Sequence, residues 1–339
     1  GDIGVQGFPN RLDMIVSELD LASPEGGWAW SAEEFQILTL PYRPNHIIAV
    51  LPAAQVLSTP YETARFQAEV LRGSVVFEPD TALALDRSSF EIGQMAIAGD
   101  TGWEAGIGSA RLATRQAEGE RPFAHDVVFS AEEVALPRHW TAEVAGLDLL
   151  PEAIESLRLD LTLDYDRPWD RPAIEDGNPI LQGVRVRDAA ITWGELDLRG
   201  QGRLTTDDRG FAEGRIDLRA RNWRGMLDIA ERSGMIGSGL AGTLRSGLDL
   251  IARLSGDRNS LNVPLDFENG RMRLGGHDLS LSDIKIPIYN LAAKEDHIAP
   301  ARSVFTGCAY FGGEVEYVMS GSGHIAGVIN PPALKKYQY

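Results

Sequence analysis

The residues of this chain best suited to chemistry are Asp296 and His324, in the segments KEDHIAP and GSGHIAG. A carboxylate and an imidazole in that order suit acyl transfer. The acid holds the histidine's tautomer, and the histidine takes the proton of a nucleophile that precedes both along the chain. No such nucleophile precedes them here. The one cysteine, Cys308, lies between the two and lacks a glycine two residues before it, and its residue type points to a buried helix position. Ser109, Ser238 and Ser322 also lack that glycine, so no serine elbow substitutes. Spacing alone leaves Asp296 open to a role as turn former or helix cap, and His324 to a role as an exposed loop residue.

The elements that must position the pair are legible in the pattern. An apolar run from Ile284 to Ala293 predicts a strand, Pro300 opens a helix through Tyr310, and Val315 to Met319 predicts a second strand. Both residues then follow the carboxyl ends of strands, where open α/β sheets carry their sites.

Residues 278–339, above all IPIYNLAAKEDHIAPARSVF, FGGEVEYVMSGSGHIAGVINPP and KKYQY, closely resemble the C-terminal end of class I polyhydroxyalkanoate synthases. In that family a cysteine attacks an acyl-CoA thioester and carries the growing polyester. The resemblance implies that Asp296 is the orienting acid and His324 the general base, within a small α/β-hydrolase-derived C-terminal fragment. It covers about a fifth of the chain, and the family's glycine-flanked cysteine elbow is absent. The pair is therefore expected to be inactive, because no thiolate stands where a covalent intermediate would form.

The preceding four-fifths reads differently. Apolar and polar residues alternate at Arg11–Leu21, Phe35–Leu40, Ala64–Phe77, Ser109–Arg115 and Leu157–Tyr165, the period of half-buried strands. Ala190 to Trp223 predicts a hairpin turning at Asp207–Gly210, and Asn269-Gly270 predicts another tight turn. Two helices are expected at about 223–233 and 239–255, from Trp223, Met226, Leu227 and Ala230 and from Leu240, Leu244, Leu248, Ile251 and Leu254. Shorter helical turns are expected to begin at Pro151 and near Ala131, with disorder confined to the ends and to the polar stretches 117–121 and 166–178. The fold class is thus mainly β with a helical insertion. It consists of an elongated antiparallel body over 1–275 and the α/β fragment over 278–339.

The opening GFPNRLD, the W-A-W-S-A segment with Tyr42-Arg43-Pro44-Asn45, the RGSVVF strand and the hairpin WGELDLRGQGRLTTDDRGFAEGRIDLRARNW are similar to an uncharacterised alphaproteobacterial envelope family. That resemblance implies a β-rich body on the periplasmic side of the inner membrane, with an anchor or signal segment ahead of Gly1. A more distant likeness to AsmA-like proteins implies lipid or another envelope component as partner. The synthase-like tail by itself would imply the cytoplasm.

Composition narrows the alternatives. A formal charge of −17 repels nucleic-acid backbones, so no nucleic-acid partner is expected. His46, His125, His139 and His277 are far apart and form no ligand pair, so no metal is expected. Glycine-rich GIGSA and GSGLAG lack the Lys-Ser/Thr of a phosphate loop, so no nucleotide cofactor is expected. The seven tryptophans suit core packing more than an apolar groove. Three functions follow: a lipid-handling envelope body, a synthase-type acyltransferase on acyl-CoA thioesters, or a structural protein without chemistry.

Overall fold

A computed structural model of the chain describes residues 1–23, 27–119, 121–138, 150–175, 178–207, 210–232, 236–254, 257–279, 288–293 and 301–320. Strands come in the order β1 (Asp2–Gln6), β2 (Leu12–Ser23), β3 (Trp28–Leu40), β4 (Arg43–Val50), β5 (Ala54–Ser58), β6 (Thr63–Gln67), β7 (Val70–Phe77), β8 (Leu85–Gly99) and β9 (Glu104–Gln116). They continue as β10 (Ala124–Ala135), β11 (Ala153–Tyr165), β12 (Leu181–Trp193), β13 (Leu196–Thr206), β14 (Ala212–Arg221), β15 (Ser260–Glu268), β16 (Arg271–Leu274) and β17 (His277–Leu279). These seventeen form one sheet. Each rung pairs antiparallel with the next, from β1–β2 at one edge to β16–β17 at the other. β4 with β5, and β6 with β7, act as two interrupted single rungs between β3 and β8.

Strand alternation sorts the side chains into two unlike faces. One transverse row runs Ala49, Gly73, Phe90, Leu112, Phe129, Leu159, Ala189, Gly200, Leu218 and Val263 through successive cross-strand pairs. Neighbouring rows on that side carry Val127, Leu161 and Val186, then Leu157, Ile191 and Leu198. The opposite face is charged. Glu91 takes Arg72 at 2.5 Å and Arg111 at 3.0 Å, Arg215 takes Asp266 at 2.6 Å, and Arg158 takes Asp188 at 3.2 Å. Such exposed pairs are screened by water and add little to stability, so they set solubility and register instead.

A crease crosses the sheet. Glu18, Gln94 and Glu133 all adopt left-handed φ of 50°, 45° and 54°, and the pairing steps past each of them. The breaks at Pro52 and at Ala68–Glu69 fall on the same line, bridged by Ala68 N–H to Ala53 O and Glu69 N–H to Gly93 O. Gly108 is required there, because a Cβ would lie 2.6 Å from Glu133 Oε2 and 2.9 Å from its Cβ.

Between β14 and β15 the chain forms α2 (Trp223–Arg232) and α3 (Ser238–Leu254), as the spacing predicts. Trp223, Leu227, Leu244, Leu248 and Ala252 pack with Ala220, Leu261 and Val263 of the sheet into the principal core. Each large side chain buried there is worth about 1.5–3 kcal/mol. Arg245 joins the helices by bonds to Asp228 at 2.7 Å and Glu231 at 3.0 Å.

Three expectations fail. The helical turns expected from Pro151 and near Ala131 are strands β11 and β10, because cross-strand pairing overrides local helix signals. The stretch 166–178 is not wholly disordered. Asp170 Oδ1 accepts Ala173 N–H to start a short helix, α1 (Arg171–Glu175), and Ala173 is buried. Leu85 N–H to Trp169 O and Arg171 N–H to Ala82 O tie that loop to the sheet.

The tail forms β18 (Ile288–Ala293), α4 (Ala301–Gly307), a 3-10 turn (Cys308–Tyr310) and β19 (Val315–Ser320), with β18 and β19 parallel. This is the strand, helix, strand order that the sequence predicts. Among the described residues, β18 and β19 pair only with each other.

Candidate functional site: an uncovered apolar face

Asp296 and His324 both lie outside the described residues. Cys308 lies within them. Its thiol contacts Val304 O at 3.6 Å and accepts the Asn290 amide at 3.1 Å. Cys308 is half-buried in the 3-10 turn that follows α4, not the buried helix position expected for it, and it does not stand at a strand-to-helix elbow.

The most extensive feature is the apolar face itself. Helices α2 and α3 cover its β13–β17 end, where Leu198, Leu218, Leu274 and Leu279 close around the core. Toward β1 the middle of the face is open, and Phe90 is 44% and Leu159 39% exposed. At the β1 edge Ile3 and Val5 are more exposed still. No large side chain of the described set is completely buried, which fits a single layer rather than a filled sandwich. Such a strip binds by excluding water along aliphatic chain, at about 25 cal/mol per Å² of apolar surface covered.

The tryptophans divide by position. Trp223 is core, with its indole N–H on Arg258 O at 3.3 Å. Trp30 donates to Gln55 at 3.0 Å, Trp103 donates to Glu62, and Trp193 donates to Pro151 O at 2.8 Å. Each satisfies its N–H at a different part of the sheet, so these four tryptophans do not share one groove. Trp140 lies outside the described residues.

Of the histidines, His125 sits in the apolar row between Gln116 and Leu163, edge-on to Tyr165 at 6.4 Å. Its Nδ1 has no hydrogen-bond partner among the described residues. Burial pushes its pKa down, against the pull of Asp126 and Asp86. His46 bonds Ser74 Oγ through Nε2 at 2.9 Å on the charged face. His139 lies outside the described residues. The crease and the split between apolar and charged faces were the functional geometry that motif reading missed. Alternation signalled the faces, whereas left-handed Glu18, Gln94 and Glu133 carry no turn signature.

These features define a class: a long antiparallel meander with one charged and one apolar face, the latter capped by helices at one end. The chain belongs to the family described as "Uncharacterized protein conserved in bacteria (DUF2125)", whose profile matches residues 1–280. Residues 278–339 resemble polyhydroxyalkanoate synthases. The chain is 70% identical over 73 residues to the poly(3-hydroxyalkanoate) polymerase subunit PhaC of Rhizobium meliloti (strain 1021), covering 22% of this chain and 12% of that protein. It is 59% identical over 71 residues to the poly(3-hydroxyalkanoate) polymerase of Methylorubrum extorquens, covering 21% and 12%. It is 38% identical over 79 residues to the PhaC subunit of Cupriavidus necator, covering 23% and 13%. The chain therefore spans about an eighth of the length of these relatives. No solved structure matches it.

Proposed function

We propose that the β body is an envelope protein that holds the apolar part of a lipid against its uncovered face. The observation carrying this reading is the row from Phe90 through Leu112 and Phe129 to Leu159, apolar and open to solvent at Phe90 and Leu159. A half-exposed apolar strip of this kind marks an interaction surface. A periplasmic location at the inner membrane and the AsmA-like comparison belong to the same proposal. They rest on the resemblance of the body to envelope proteins.

The tail is proposed to carry no polymerase activity. Among the described residues, β18 and β19 leave Tyr289 and Met319 exposed and α4 leaves Phe305 exposed, whereas parallel sheets are ordinarily covered on both faces. That exposure supports reading the tail as part of a larger sheet.

The lipid reading is tested by titrating the full chain with a fluorescent fatty acid and competing it with unlabelled lipid. Saturable, competable binding supports it. Failure to bind, with the sheet intact by circular dichroism, rejects it.

A further inference from the structure

We propose a second site, on the charged face, that binds the phosphate group of a small molecule or lipid head. It lies in a groove of about 740 Å³ across β4 and β7–β12, lined by His46, Ser74, Ser89, Arg87, Arg115 and Asp126 among others. That size falls within the usual range for small-ligand sites. The groove is on the face opposite the apolar strip, so this inference stands apart from the lipid reading.

The exposed arginines point to an anion. Arg87, Arg115 and Arg187 line the groove with Asp126 and Asp160, and Asp86 stands beside Arg87, yet the Arg87 and Arg115 side chains stay 59% and 69% exposed. Arg187 engages both acids at 2.5 Å, and Thr162 also bonds Asp126, at 2.9 Å. Arg115 reaches Asp126 only at 3.3 Å and keeps a side chain 69% exposed. Arg87 is drawn to its neighbour Asp86 at 2.5 Å.

Arg87 and Arg115 are direct cross-strand partners. Like charges so opposed on a sheet repel, and an anion between them removes the repulsion and gains charge-assisted hydrogen bonds. Ser88 and Thr114, the next pair along, share a hydroxyl bond at 2.8 Å, which pins the two strands in register beneath the arginines. Ser74, Ser89 and His46 add further polar groups along the wall, and Val76, Ala113 and Val128 complete an apolar floor. An anion with a short apolar part matches both.

Calorimetric titration of the full chain with inorganic phosphate tests the site. We expect saturable binding, weakened about tenfold or more in Arg87→Gln and in Arg115→Gln, the loss of one charge-assisted contact. Arg219→Gln, on the same face outside the groove, is expected to bind as the parent does. Because Arg115→Gln also releases Asp126, Ser89→Ala gives a second reading that leaves every ion pair in place, and it too should bind more weakly. Sedimentation with phosphatidylcholine vesicles, with and without phosphatidate, separates the sources. Arginine-dependent retention by phosphatidate alone assigns a lipid head, and binding of free phosphate assigns a soluble ligand. Absence of both, or binding equal in parent, Arg87→Gln and Arg115→Gln, overturns the proposal.

Discussion

Leu159 and Val263 stand in the same transverse row of the apolar face, yet Val263 is 5% exposed beneath α2 and α3 while Leu159 is 39% exposed. The same side-chain chemistry has a covered half and an open half. The covered half supplies stability, and the open half is available for a ligand.

Leu248→Ala is expected to destabilise the chain by about 2–5 kcal/mol, since its side chain fills the junction of α3 with the sheet. Leu159→Ala should cost far less, because water already reaches that side chain. Urea denaturation of both variants measures the contrast, and equal losses would mean that the open half is covered in solution.

Stability should depend on the protonation of His125. Its folded pKa is pushed below the unfolded value near 6.5, so the unfolded chain binds the extra proton first as pH falls. The contribution is complete above about pH 6.5 and is lost as pH falls from there toward the folded pKa. Replacing the ring with Phe should flatten that part of the stability–pH curve. An unchanged slope in His125→Phe would contradict the assignment.

The turn at Asn269-Gly270 has φ of 53° and 73°, the pair of left-handed residues that a tight hairpin requires. Gly270→Ala forces a Cβ into that region and to 3.3 Å from the Phe211 ring. We expect a loss of about 1–2 kcal/mol, read as a lower thermal midpoint.

Full-length chain should show no polymer formation from acyl-CoA, and Cys308→Ala should match the parent. Measurable turnover abolished by Cys308→Ala and by His324→Ala would overturn the reading of the tail. Limited proteolysis offers an independent check, since the tail's sheet has two strands among the described residues, too few to resist cleavage alone. A protease-resistant unit spanning residues 283–339 would count against it.

The sequence exposed the fold where local chemistry and long-range pairing agree. Asp207 and Gly210 mark a hairpin turn, and in the structure Gly210 N–H bonds Asp207 O at 2.9 Å. Trp223 and Leu227 mark the buried stripe of α2, although Ile229, also buried, falls outside the expected spacing. The crease was hidden because Glu18, Gln94 and Glu133 reverse φ for reasons set by neighbouring strands, not by their own preferences. Asp296 and His324 were legible only as motif and order. Arg87 opposite Arg115 could not be read at all, since their pairing depends on the register of β8 with β9.

The most direct test of the central claim is photo-crosslinking of the full chain to a diazirine-bearing fatty acid, followed by mapping of the labelled peptides. The account predicts label on the strands bearing Phe90, Leu112, Phe129 and Leu159, reduced by charged substitutions such as Leu159→Asp, with none at Arg185 or Arg219 on the charged face. Label spread equally over both faces, or confined to the helices α2 and α3, would contradict it.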